Sequence, residues 1–155
     1  MYPPIKILNK NEKREIENKL RNQFGIKSVS GILLQRGAER IFLYQGERTE
    51  KEIKELENLT IVERVGVYFC KIQNEEVRLS IEGVHILKEQ IKKNIFEIDK
   101  EQAESWMKGN ELNVKSNLKG VIIMKYQDEF LGCGKASEEK ITNFIPKNRR
   151  LKNKE

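Results

Sequence analysis

The chain of 155 residues contains one histidine, two cysteines, three prolines and one tryptophan. A zinc site needs several Cys or His ligands at short spacing. Here Cys70 and Cys133 are far apart, and His85 is remote from both in sequence, so no metal or other cofactor is expected. Two cysteines cannot form a disulfide-rich scaffold, and reduced, buried thiols are the expected state. No apolar run approaches the ~18 residues of a membrane span. Residues 1–14 have no apolar signal core, so a cytoplasmic protein with no membrane partner is expected. Internal repeats and low-complexity tracts are missing too, and a full catalytic barrel needs more chain.

Charge is what the chain has in quantity. Charged residues make up 35%, with 30 basic and 24 acidic groups and a net charge of +6; an average globular protein has ~25%. The distribution is uneven. Residues 1–62 carry 12 basic and 9 acidic groups, residues 63–134 carry 11 and 12, and residues 135–155 carry 7 and 3. The C-terminal end is therefore the best candidate for an anion-facing surface, although terminal charge is often only solvated tail.

Periodicity divides the chain in two. Asn9 and Glu12 have capping-box spacing. Ile16, Leu20 and Phe24 then repeat at spacing four, and Gly25 stops the helix. Residues 29–35 and 40–45 read as a hairpin joined by Arg36-Gly37-Ala38-Glu39. Thr49 and Glu52 form a second capping box before Ile53, Leu56 and Leu59. The first 62 residues thus read as helix, hairpin, helix. Beyond residue 63, strands are expected at 65–70, 77–81, 95–98, 120–126, 130–134 and 141–145. Residues 82–93 are ambiguous between strand and helix. Asp99 and Gln102 cap one central helix whose apolar face is Ala103, Trp106 and Met107. A small, partly open barrel closes such a set of strands. The border falls at residues 60–64 with no Pro- or Gly-rich linker, so direct packing of the two halves is expected.

Catalytic constellations are scarce. His85 sits between apolar neighbours and reads as a packed or surface histidine before a general acid or base. Cys133, in Gly132-Cys133-Gly134-Lys135, reads as a small strand filler before a nucleophile activated by Lys135. The same four residues do not make a phosphate loop. Glu129 stands where its first glycine belongs, and Ala136 where Ser or Thr must follow the lysine. No nucleophile, base and orienter come together.

One constellation stands out. Gly132-Cys133-Gly134-Lys135 is followed by Asn143-Phe144-Ile145-Pro146-Lys147-Asn148-Arg149-Arg150-Leu151. Glycines permit close backbone approach, Pro146 ends the last strand, and Lys147, Arg149 and Arg150 offer charge to phosphates. Phe144, Tyr126 and Phe130 can stack a base, although core positions fit each of them better.

This pattern resembles the PUA-like RNA-binding domain attached to RNA cytosine-5 methyltransferases, which shows Gly-x-Gly-Lys, a short gap and Asn-aromatic-x-Pro-Lys. The stretch from Asp99 through Trp106-Met107-Lys108-Gly109-Asn110-Glu111-Leu112 is similar to the helix and glycine turn that open many PUA domains. Leu79-Ser80-Ile81-Glu82-Gly83 is similar to the segment before it in small archaeal PUA proteins. The resemblance covers residues 64–151; residues 1–62 resemble a pre-PUA domain in outline. The PUA segment Gly-Asp-x-Val is absent, and no Pro-Cys motif supplies a methyltransferase nucleophile.

The resemblance implies an α+β protein. A helix-hairpin-helix pre-PUA domain (1–62) packs on a PUA-like β pseudo-barrel (63–155). It implies non-catalytic binding of structured rRNA or tRNA in RNA modification or ribosome biogenesis. Lys135, Asn143, Lys147, Arg149 and Arg150 would contact the RNA. The competing expectation is an adaptor for an RNA-modifying enzyme or ribosome assembly factor, with an apolar patch exposed on the N-terminal hairpin and helices. An unrecognised small enzyme is a third, since fold does not fix function.

Overall fold

The computed structural model describes residues 5–46, 49–52 and 66–151. A short strand, β1 (Ile5–Ile7), precedes helix α1 (Lys10–Phe24). Asn9 Oδ1 accepts from the Glu12 N–H, and the Glu12 carboxylate accepts from the Asn9 N–H. Both halves of the capping box are therefore made. Ile16, Leu20 and Phe24 are buried, and Gly25 ends the helix in the left-handed conformation. Each such side chain, once buried, contributes roughly 1.5–3 kcal/mol.

The expected hairpin forms as β2 (Ile32–Arg36) and β3 (Arg40–Tyr44). The chain continues into β4 (Val67–Gln73) and β5 (Glu76–Leu79). Asn74 and Glu75 join β4 to β5 with positive φ at both positions, the geometry whose twist suits a two-residue hairpin. These strands make one antiparallel five-stranded sheet in the order β1-β2-β3-β4-β5.

That sheet differs from the helix-hairpin-helix expected for residues 1–62. β1 adds an edge strand, and β3 pairs with β4 across the expected border, with Ile41 opposite Cys70. The reason is the core. Phe69, Cys70, Val77 and Leu79 point into the same apolar cluster as Leu20 and Phe24 of α1. The Val67–Leu79 hairpin thus buries its apolar face under the N-terminal helix. Of the expected second helix, residues 50–52 are helical and the Thr49 hydroxyl accepts from the Glu52 N–H. Ile53, Leu56 and Leu59 lie outside the described residues.

The ambiguous stretch after β5 is helical. Helix α2 (Ile81–Leu87) starts at Ser80, whose hydroxyl accepts from the Gly83 N–H, and runs into a 3₁₀ turn (Lys88–Gln90). A second sheet follows, in the order β6 (Ile95–Glu97), β7 (Gly120–Tyr126), β8 (Glu129–Ala136), β9 (Ile141–Asn143). β6 runs parallel to β7, with α3 (Lys100–Met107) in the connection between them. Asp99 and Gln102 complete the capping box of α3. Leu112 adds an isolated bridge to Ile141. Trp106 is fully buried among Ile122, Met124, Ile141 and Ile145, and its indole N–H donates to the Leu131 carbonyl at 2.9 Å.

The two sheets share a seam. The Glu76 carboxylate at the start of β5 accepts from the Val121 N–H of β7 at 2.8 Å. Val121, Ile123 and Cys133 of the second sheet lie in the same core cluster as α1 and β3–β5. No helix among the described residues is long and apolar enough to cross a membrane.

Candidate nucleic-acid interface

The glycine-lysine motif first serves the fold. A Cβ on Gly134 would lie 2.6 Å from the Trp106 ring and 2.8 Å from both Ile141 Cγ2 and the Thr142 carbonyl. The indole thus takes the space that any side chain would need. Cys133 between the glycines is 3% exposed, and burial pushes its thiol up to about 12. Cys70 is raised by burial as well, and further by Cys133. Both thiols are therefore held protonated at neutral pH and are poor nucleophiles.

The five residues expected to contact RNA are placed differently. Asn143 of β9 donates to the carbonyls of Trp106 (2.7 Å) and Asn110 (3.1 Å), and its oxygen accepts from the Ile145 N–H at 2.7 Å. Its amide ties the end of α3 to the end of β9. Lys135 is half-exposed, with Nζ 3.8 Å from the Glu76 carboxylate across the seam. After Pro146 the chain makes a 3₁₀ turn (Lys147–Arg149). Lys147 is exposed on it and has no ion pair among the described residues. Arg149 pairs with Glu82 of α2. Arg150 donates from Nε to the Ile145 carbonyl at 2.9 Å and lies over Gly109. Gly109 has φ +97°, and a Cβ there would collide with the Arg150 side chain. The Leu151 N–H donates to the Met107 carbonyl at 2.7 Å, so the basic segment is clasped to α3 through its backbone.

Burial alone would raise the Glu82 carboxyl. The hydrogen bond and charge of Arg149, with a backbone N–H, outweigh that and hold it below the usual range. Arg149 also lines a cleft between the sheets, together with Tyr68, Arg78, Ser80, Glu82 and Phe144. Phe144 is partly buried against the N-terminal core cluster, and the Arg78 guanidinium lies over its ring, 4.2 Å from the centroid. Tyr126 and Phe130, the other candidate stacking residues, pack against the core clusters. Tyr68 and Arg78 were not singled out by sequence reasoning. Only Arg78 carries a signal, by alternation: it stands between Val77 and Leu79, both buried, and so faces outward.

The second sheet is thus entered by a short strand and helix, continues in antiparallel strands that close on a tryptophan, and ends in a clasped basic segment. Residues 93–151 match the family described as the methyltransferase RsmF PUA domain. The resemblance to the PUA-like domain of RNA cytosine-5 methyltransferases therefore holds over the second sheet and its basic segment. The chain has no match among curated proteins.

Proposed function

We propose that this chain is a non-catalytic RNA-binding protein that grips folded rRNA or tRNA in RNA modification or ribosome biogenesis. The observation carrying this reading is the match of residues 93–151 to the PUA domain of an RNA methyltransferase. Lys147 and Arg149 are exposed, and Lys135 is half-exposed at the seam; these are the groups offered to phosphates. Arg150 is half-buried and clasped, so it contributes charge while it holds the segment in place. Asn143 acts as a positioning residue, because its polar atoms are engaged within the protein. The non-catalytic part of the proposal is supported by two thiols that burial keeps protonated.

An adaptor whose main partner is a protein fits less well. Among the described residues the exposed large apolar side chains are Val67, Ile86 and Leu151. They lie on different elements, and scattered singles of this kind need no partner.

The test is a filter-binding titration with folded tRNA and rRNA fragments against a charge-matched single strand. Binding that relies on about three phosphate contacts weakens several tens-fold between ~50 and ~200 mM salt. The expected result is salt-sensitive binding that favours the folded RNA. Equal binding to any polyanion would sink the proposal.

A further inference from the structure

The outer face of the first sheet carries chemistry that the basic segment does not use. Ile41 and Leu43 of β3 point into the core, so Arg40 and Phe42 point away from α1. Phe42 pairs in register with Tyr68 of β4, with ring centroids 5.7 Å apart. The Arg40 guanidinium lies over the Tyr68 ring, 5.8 Å from its centroid. On β5 Arg78 faces the same way and covers Phe144, which directly follows β9. Tyr68 and Arg78 line the cleft that contains Arg149. Outward-facing aromatics and arginines thus run from Phe42 across the sheet to the basic segment.

Two features set this stripe apart from ordinary surface. Neither Arg40 nor Arg78 has a carboxylate partner among the described residues; each is held over an aromatic ring instead. By contrast, nearby Lys71 is paired with Glu39 at 3.5 Å, and Arg149 with Glu82. Two positive charges are therefore left without a carboxylate partner beside partly buried rings, Phe42 packing against Ile5 and Leu34 on the same face. The cleft itself encloses only about 60 Å³, far below the ~300–1,000 Å³ of small-molecule pockets. A ligand would lie across the stripe rather than inside it.

Unpaired nucleobases stack on aromatic rings and on guanidinium planes alike, and their phosphates need the uncompensated charge. A base-paired helix hides its base faces and could not use the stripe. We infer that Arg40, Phe42, Tyr68 and Arg78 form a stacking platform for a single-stranded RNA segment flanking the folded RNA held by the basic segment. This rests on the RNA-binding reading above and adds the kind of RNA that the site takes: a fold with an unpaired extension.

The experiment compares one RNA hairpin, blunt or carrying a short oligouridine extension at either end, on the full-length protein. Stacking is worth about tenfold or more per base, so one extended hairpin should bind at least about tenfold tighter than the blunt one. Arg40→Gln, at an exposed position, should cut that advantage severalfold and leave blunt-hairpin affinity unchanged. The pair Arg40→Gln and Tyr68→Leu should abolish it, whereas Tyr68→Phe, which keeps the ring, should preserve it. If neither extension helps while the blunt hairpin binds, the platform is wrong and the RNA-binding reading stands. An advantage that survives the double variant also overturns the platform. If the protein binds no folded RNA, both readings fall together.

Discussion

The two sheets solve the same packing problem with different parts. The first is built from neighbouring antiparallel strands, covered on one face by α1 and left with aromatic and arginine side chains on the other. The second joins β6 to β7 in parallel through α3 and closes on one buried tryptophan. Its motif residues are largely consumed by that closure: Gly134 makes room for the indole, and Asn143 ties β9 to α3. In the second sheet the recognisable pattern encodes architecture, with charge added at its end. In the first, no pattern announces itself, and Arg40 and Arg78 face outward without a carboxylate partner among the described residues. A conspicuous motif can thus be taken up by packing within the protein.

The largest expected effect breaks the second sheet alone. Trp106→Ala removes a fully buried ring and an indole hydrogen bond, at a cost of about 3–5 kcal/mol. Urea unfolding should show that loss. If the seam couples the sheets as Glu76 suggests, both should still unfold in one transition when followed by circular dichroism and by tyrosine fluorescence.

Asn143→Ala comes next. It leaves two carbonyls and one N–H without their partner, and should cost about 1–3 kcal/mol. RNA affinity should be unchanged wherever the variant is folded. An affinity loss with unchanged stability would return Asn143 to the contact residues.

Glu76→Gln sharpens the comparison at the seam. The amide oxygen can still accept from the Val121 N–H, but the charge near Lys135 is gone. Stability should fall by under about 1 kcal/mol, as for exposed ion pairs. RNA affinity should rise slightly, because Lys135 is released.

The smallest effect concerns Glu82 and Arg149. The Glu82 carboxyl lies below its ordinary value in the folded protein. Its contribution is therefore present above the unfolded value, ~4.3, and is lost as pH falls through the folded value. Both side chains are nearly half exposed, so the contribution stays below about 1 kcal/mol. Glu82→Gln should be indistinguishable from the parent in urea midpoint at low pH and slightly weaker at neutral pH.

Local signals were legible in the sequence wherever a few neighbouring residues decide the outcome. The Asn9–Glu12 and Asp99–Gln102 boxes, the Gly25 stop and the β2–β3 hairpin are all of that kind. Partnership between distant segments was not legible. Nothing in the Val67–Leu79 hairpin says whether its apolar face lies under α1 or inside a barrel, because alternation gives a face and no address. Helix α2 was ambiguous because Ser80 caps it with Gly83, not Glu or Gln, at the third helical position. In the candidate site the basic residues were legible as charge. Their clasps were not: the Arg149–Glu82 pair and the Arg150–Gly109 contact join residues distant in sequence. The Tyr68 platform was hidden for the same reason, since its residues come from three strands.

The central claim is that the segment after β9 holds folded RNA through its exposed charge. Lys147→Glu tests it most directly, because Lys147 is exposed and its reversal leaves the clasps of Arg149 and Arg150 intact. Folded-RNA affinity should fall about tenfold or more at ~50 mM salt, with a shallower salt dependence and an unchanged urea midpoint. Unchanged affinity and an unchanged salt slope would contradict the account.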